Sequence, residues 1–272
     1  MIKNSLKTIA LLYHDAVLNE EYDTSGFPGK AASIYKLDIN LMIEHFLQVN
    51  KIIKNAPGSI YEVENHQEYP IYITFDDGGK SFTSLISTEL NKLKWVGHFF
   101  ITTDYIGKES FVNTSEIRKL DNEGHIVGSH SCSHPHRMSL CDPRQIEYEW
   151  KESILKLSDI IGKQVTVASV PGGYYSNEIG KIASECGIKF LFNSEPVKKS
   201  YYVDECLIIG RFNILNHMLP AVSGRLASNK LSQTQLNQLI FWKIKSLAKK
   251  IGGNQYLKLR ELILRSKKQK NR

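Results

Sequence analysis

Short apolar runs rich in β-branched and aromatic residues recur along the chain, at residues 8–13, 71–75, 97–102, 125–129, 166–170, 188–192 and 206–212. Each has the length of a strand. Between them, apolar residues return every three or four positions over 38–54, 81–94, 114–123, 143–161 and 176–186, which predicts helices. The helix from Asp142 has the clearest start, with an acidic cap, Pro143 in the first turn, and Ile146, Trp150, Ile154, Leu157 and Ile161 along one face. That face predicts packing against a sheet. Strand and helix in alternation predict a parallel α/β architecture. A long connection after the first strand, residues 15–35 with Gly26, Pro28 and Gly29, is either a lid over the strand ends or a surface excursion.

Composition narrows this picture. At 272 residues and 42% hydrophobic, the chain is long enough for one sizeable core, and single β/α barrels run to this length. The net charge of +7 is unevenly spread: residues 206–272 hold 14 Lys/Arg against one acid, Glu261, a net of +13 that leaves −6 for the first 205. Within the basic part Ile240, Phe241, Ile244, Leu247, Ala248 and Ile251 recur at helical spacing among lysines, and Gly252-Gly253 precede a second helical pattern. We therefore divide the chain into an α/β unit, 1–230, and a basic amphipathic helical tail, 231–272. Such a tail would contact an anionic membrane surface or a partner enzyme, or pack on the barrel with its lysines in water. Nothing resembles a nucleic-acid-binding motif, so no nucleic acid is expected as partner. Thr8 to Tyr13 is too short for a signal peptide's apolar region, and no run approaches the length needed to span a bilayer, so a cytoplasmic place, at the inner membrane face, is expected. Cys132, Cys141, Cys186 and Cys206 show no metal-ribbon or redox spacing and are expected as free thiols.

The chemistry lies at strand ends. The run Ile71-Tyr72-Ile73-Thr74-Phe75 leads directly into Asp76-Asp77-Gly78-Gly79, and the run 125–129 into His130-Ser131-Cys132-Ser133-His134. Neighbouring side chains leaving a strand diverge, so one Asp can hold a metal while the other handles a proton. Asp77, His130 and His134 would fill the three protein positions of a catalytic zinc site, leaving the fourth open. The same donor set also suits non-haem iron in an oxygenase, but the additional Asp favours hydrolysis. Taken singly, an Asp-Asp-Gly turn or an HxxxH pair is often only structural; both at strand ends in one chain point to a site.

These residues resemble the polysaccharide deacetylases of the NodB-homology type, carbohydrate esterase family 4. Thr74 to Gly78 is similar to that family's first motif, which implies Asp76 as general base and Asp77 as metal ligand. His130 and His134 match its two metal-binding histidines, with Ser131 as a loop-stabilising hydroxyl. Leu11-Leu12-Tyr13-His14-Asp15 looks like its first barrel strand, Gly97 to Ile101 like the strand after the Asp pair, and Ser169-Val170-Pro171-Gly172-Gly173-Tyr174 like its third motif. Ser25-Gly26-Phe27 and Tyr35-Lys36-Leu37 are similar to a subgroup with envelope and exopolysaccharide functions. The resemblance implies a distorted, seven-stranded, TIM-like (β/α) barrel and a divalent metal, Zn2+. It also implies removal of N-acetyl or O-acetyl groups from an N-acetylhexosamine-containing polysaccharide or carrier-linked sugar.

There are departures from the family pattern. Its third motif usually begins with an Arg that pairs with the base, whereas this chain has Ser169; Arg211 or Arg137 would have to replace it. Gly172 stands where an aromatic is usual, so Tyr174 or Tyr175 would have to supply the sugar platform, while the resemblance implies the Gly172 backbone N–H at the oxyanion. The fourth motif is not recognisable around Asn193. For the general acid the resemblance points to His217, with His14 and Asp15 at the first strand's end as substitutes, since strand C-termini face the active site of a β/α barrel. Two other readings remain: a catalytically silent member that binds sugar or organises a biosynthetic complex, and a metal amidase on a small non-sugar substrate.

Overall fold

The computed structural model describes residues 6–65, 69–228 and 233–243. Its strands are β1 (Ile9–Tyr13), β2 (Ala16–Val17), β3 (Leu37–Asp38), β4 (Ile71–Phe75), β5 (Gly97–Ile101), β6 (Ile126–Ser129), β7 (Val167–Ser169), β8 (Phe190–Phe192), β9 (Tyr201–Val203), β10 (Cys206–Ile209) and β11 (Phe212–Asn213). Nine of them form one sheet in the order β11-β1-β4-β5-β6-β7-β8-β10-β9, parallel throughout except for β9, while β2 and β3 pair separately. The helices are α1 (Lys30–Ser33), α2 (Ile39–Asn50), α3 (Ser87–Leu93), α4 (Thr114–Asn122), α5 (Pro143–Ile161), α6 (Asn177–Glu185) and α7 (Ala221–Ala227). A π-helical turn, Phe82–Ile86, precedes α3. Asp142 caps α5 as its sequence predicts, accepting from the N–H groups of Arg144 and Gln145.

Both sheet faces are buried, so the strands are almost continuously apolar. Ile9, Leu11 and Tyr13 of β1 face the helical layer, while Ala10 joins a smaller inner cluster with Tyr72, Phe100, Phe192, Leu207 and Ile209. That inner cluster requires a curled sheet. The Tyr72 and Phe192 rings, four strands apart in sheet order, have centroids 6.2 Å apart, whereas a flat sheet would separate them by about 19 Å. The fold is a distorted (β/α) barrel.

The run 206–212, which reads as one strand, is split into β10 and β11. Only Gly210 and Arg211 lie between Ile209, which pairs toward β8, and Phe212, which pairs with β1. Three residue steps span at most about 11 Å, so this link brings the two ends of the sheet together. Counted as one bent strand, β10 and β11 complete the seven parallel strands expected. The bend needs glycine: a Cβ at Gly210 would lie 2.3 Å from the Glu195 carbonyl oxygen. β9 is the addition, an antiparallel edge strand joined to β10 by a tight turn in which Asp204 is left-handed.

Residues 233–243 are helical. Gln238 bonds both the N–H and the C=O of Asn213, covering the backbone of the edge strand β11, and Gln235 donates to the Leu226 and Ser228 carbonyls. The rest of the predicted basic tail, including Ile244 to Ile251 and everything after Gly252, lies outside the described residues. Among the described residues, no helix is long and apolar enough to cross a membrane.

Candidate active site

Asp76 and Asp77 leave β4 at its C-terminal end, and Asp77 is left-handed at φ 86°. That turn separates the two carboxylates. Asp76 is buried and points inward, while Asp77 faces His130 and His134, which are carried by the turn leaving β6. The Asp77 Oδ1 atom lies 3.4 Å from His130 Nε2 and 3.6 Å from His134 Nε2, and the donor atoms of all three residues lie within 4.8 Å of one another. Two ligands each about 2.1 Å from a tetrahedral ion stand about 3.4 Å apart, so the donor set fits a zinc-sized divalent cation. The tautomer suits it too: His130 Nδ1 donates to the Ser169 carbonyl at 3.0 Å, which leaves the Nε2 lone pair free to coordinate.

Asp76 is held by a guanidinium from the barrel's closing bend. Arg211, fully buried, donates Nη1 to Asp76 Oδ1 and Nη2 to Oδ2, both at 2.7 Å. Its Nη2 also donates to Ser169 Oγ, its Nη1 to Thr74 Oγ1 and its Nε to the Asn193 carbonyl, and the Ser169 hydroxyl donates to Asp76. The small side chain at position 169 thus leaves room for an arginine arriving from another strand. The second candidate, Arg137, instead faces the Tyr174 ring at 5.2 Å.

The charges follow from this packing. Burial alone would raise the Asp76 pKa, but the Arg211 guanidinium, with His130 and His14, holds it below the usual carboxylate range. Asp77 is likewise penalised by burial, yet its hydrogen bond to His130 and the nearby His14 and His134 keep it well down. Burial opposes protonation of His130, and the two carboxylates overcome this and raise its pKa; at His134 burial wins and brings it to about 4.

His14 follows β1 and lies near both carboxylates, which favour its protonation, but burial outweighs them and holds its pKa below the usual imidazole value. Its Nδ1 is buried with no hydrogen-bond partner among the described residues, and its ring lies against Tyr35 with centroids 4.7 Å apart. His217 lies elsewhere. It is exposed in the turn after β11, where Asn216 N–H donates to the Ile34 carbonyl and His45 holds the Met218 carbonyl, and it makes no contact with the Asp pair among the described interactions. The structure therefore places His14, not His217, beside the carboxylates.

Gly172 is left-handed and exposed in the short turn Pro171–Gly173, beside the His136 carbonyl, and Tyr174 follows it half-buried. The long connection after β1 does overhang the site. Phe27 packs between Tyr105, Phe111 and the ring of His134, and the Gly26 N–H donates to the Ser110 carbonyl. Beneath it, buried Asp15 accepts from Ser25 and Ser81, and Lys36 donates to the Tyr22 and Ser25 carbonyls.

Sequence reasoning missed Glu149. On the buried face of α5, it accepts from the Cys132 and Ser133 N–H groups at 2.8 and 2.9 Å and from the Ser133 hydroxyl. The signal was present: Glu149 and Ser153 lie three residues after Ile146 and Trp150, polar positions inside an otherwise apolar stripe.

A curled β/α barrel with a two-His, one-carboxylate donor set at its strand ends defines the class. Residues 64–191 match the sequence profile of the polysaccharide deacetylase family. That match spans 128 of the chain's 272 residues. It is 28% identical over 147 residues to the peptidoglycan-N-acetylmuramic acid deacetylase PdaA of Bacillus subtilis, a match covering 53% of each protein, so the chain spans about half the length of that curated relative. In structure it is similar to the Streptococcus pyogenes deacetylase PplD, solved with acetate, with a TM-score of 0.67 at 18% identity over 79% of this chain and 96% of the other. A Bacillus cereus polysaccharide deacetylase aligns with a TM-score of 0.65 at 20% identity over 81% and 69%. At these identities the structural likenesses establish the fold.

Proposed function

We propose that this protein is a metal-dependent deacetylase that hydrolyses the N-acetyl group of a hexosamine in a glycan or carrier-linked sugar. The observation that carries the reading is the convergence of Asp77, His130 and His134 on one point, next to a second carboxylate gripped by Arg211. A divalent cation held by those three residues would polarise the acetyl carbonyl and make water acidic enough to ionise near neutral pH. Asp76, ionised and fixed in orientation, takes the proton of the attacking water. The Gly172 N–H supports the negative charge that develops on the acetyl oxygen. We assign protonation of the leaving amine to His14, because it lies half-buried near the carboxylates with Nδ1 unengaged among the described residues, whereas His217 is exposed; since burial lowers the His14 pKa, it would have to take up its proton in the course of the reaction.

The fork between Arg211 and Asp76 also removes the main reason for reading the chain as a silent member, since Ser169 is no sign of an unsupported base. Purified Asp77→Ala should lose bound metal, whereas Asp76→Asn should keep it and lose turnover by at least about a hundredfold. Metal analysis coupled to acetate release from a panel of N-acetylated oligosaccharides is the test. Undiminished acetate release by both variants would refute the assignment, and metal without turnover in the parent protein would favour a sugar-binding role.

A further inference from the structure

The turn that carries the two histidines is held in an unfavourable backbone conformation from outside. Ser131 and His134 are both left-handed, at φ 64° and 59°, although neither is glycine. Within the turn the Ser131 hydroxyl accepts from the His134 N–H. On one side the loop after β5 grips it, with the Thr103 and Asp104 N–H groups donating to the Ser131 and Cys132 carbonyls. On the other side its grip comes from a single side chain of α5. Glu149 takes the N–H groups of Cys132 and Ser133 on Oε2 and the Ser133 hydroxyl on Oε1, so all three bonds fall on the residues between the two histidines.

Glu149 is itself well seated. It is 3% exposed, and α5 is tied to β6 below it, where the Ser153 and Ser129 hydroxyls are bonded at 2.6 Å. A buried carboxylate is costly unless its lone pairs are used, and the only polar hydrogens the described contacts bring to this one belong to the histidine turn. A packing role is served by the apolar neighbours Ile146, Trp150 and Leu157 without it.

We propose that Glu149 is the positioning residue of the metal centre: through Cys132 and Ser133 it fixes the turn that sets the separation of His130 and His134, and hence the affinity for the cation. The proposal rests on the reading of Asp77, His130 and His134 as ligands. Loss of a partner bonded directly to a ligating side chain typically costs ten- to a hundredfold in metal affinity, and Glu149 acts one residue further out, through three bonds at once. The same loss is expected for Glu149→Ala. Ser133→Ala, which removes one of the three bonds, should cost several-fold, and Glu149→Gln, whose amide oxygen can still accept both N–H groups, should fall between Ser133→Ala and the parent.

Competitive Zn2+ titration against a chromophoric chelator, together with the visible spectrum of the Co2+ form, tests this on the full chain. Leu157→Ala on the same helix is the control: it should lower the melting temperature and leave affinity and spectrum unchanged. Parent-like affinity and Co2+ spectrum in Glu149→Ala would overturn the proposal. Should Glu149→Ala not fold, unchanged affinity in both Glu149→Gln and Ser133→Ala overturns it equally, and graded loss supports it. A parent protein that binds no Zn2+ overturns the ligand reading and this proposal together; parent binding with unaltered variants overturns this proposal alone.

Discussion

Arg211 meets Asp76 through two parallel hydrogen bonds, and both partners are buried. Removing one partner of a buried pair leaves an uncompensated charge, a cost of about 3–5 kcal/mol. Arg211→Ala should therefore lower stability by that order in urea unfolding, and also abolish turnover, because an unsupported Asp76 would become protonated in its buried setting. Arg211→Lys keeps the charge but loses the fork, and should recover stability better than activity. A double variant, Ser169→Arg with Arg211→Ala, asks whether the guanidinium can be supplied from β7 instead; partial recovery of acetate release over Arg211→Ala is the expected result. Asp76, Asp77, His130 and His134 were legible as a candidate site because they sit in two contiguous motifs at strand ends. Arg211 could be named only as one of two candidates, since it lies 135 residues from its partner and nothing local marks it. For Glu149 the clue was a carboxylate on an apolar stripe, which reads as packing unless its partners are known. For the general acid the sequence offered His217 with His14 as a substitute, and only the fold shows that His217 is exposed after β11 while His14 lies at the β1 end near the carboxylates.

At the scale of elements, the seven apolar runs and five helical patterns are all realised, because a strand buried on both faces and a helix buried on one leave unmistakable periods. What the periods could not show is where an apolar run bends. Residues 206–212 carry no polar interruption before Arg211, yet the chain passes there from one end of the sheet to the other. Likewise β9, with only three residues and polar surroundings, and the seven-residue α7 are too short to announce themselves. The bend makes its own prediction. A methyl group at Gly210 would press on the Glu195 carbonyl and the Val197 backbone and side chain, so Gly210→Ala should cost about 1–3 kcal/mol, read as a lower urea midpoint with unchanged slope. A still larger loss of activity than that destabilisation explains would indicate that Arg211 has moved as well.

For the molecule as a whole, buried neutral imidazoles set the response to acid. His98 is fully buried, donates Nδ1–H to the Ile73 carbonyl and accepts the Ile60 N–H on Nε2; burial pushes its pKa down to about 3. His45, between Ser223 and the Met218 carbonyl, is likewise pushed down by burial, to about 4. Unfolding returns both to about 6.5, so the unfolded chain binds more protons in the window between. Their contribution to stability is complete above pH 6.5 and is lost as the pH falls toward 4 and then 3, on the order of a few kcal/mol together. Buried Asp15 works in the opposite direction: its pKa, raised by burial to about 6, favours the fold below pH 4 and withdraws that contribution as the pH rises to 6. Melting temperatures should therefore decline between pH 6.5 and 4, and His98→Gln should flatten that decline. The joint between Ile209 and Phe212 adds a consequence for motion. Edges are where a native structure opens first, and here the sheet's edge link carries the guanidinium that holds Asp76. On the proposed reading, a brief parting of that edge, far short of unfolding, would disable catalysis while leaving Asp77, His130 and His134 in place after β4 and β6, so the working temperature ceiling would be set by the loosest part of the barrel rather than by the melting of its core.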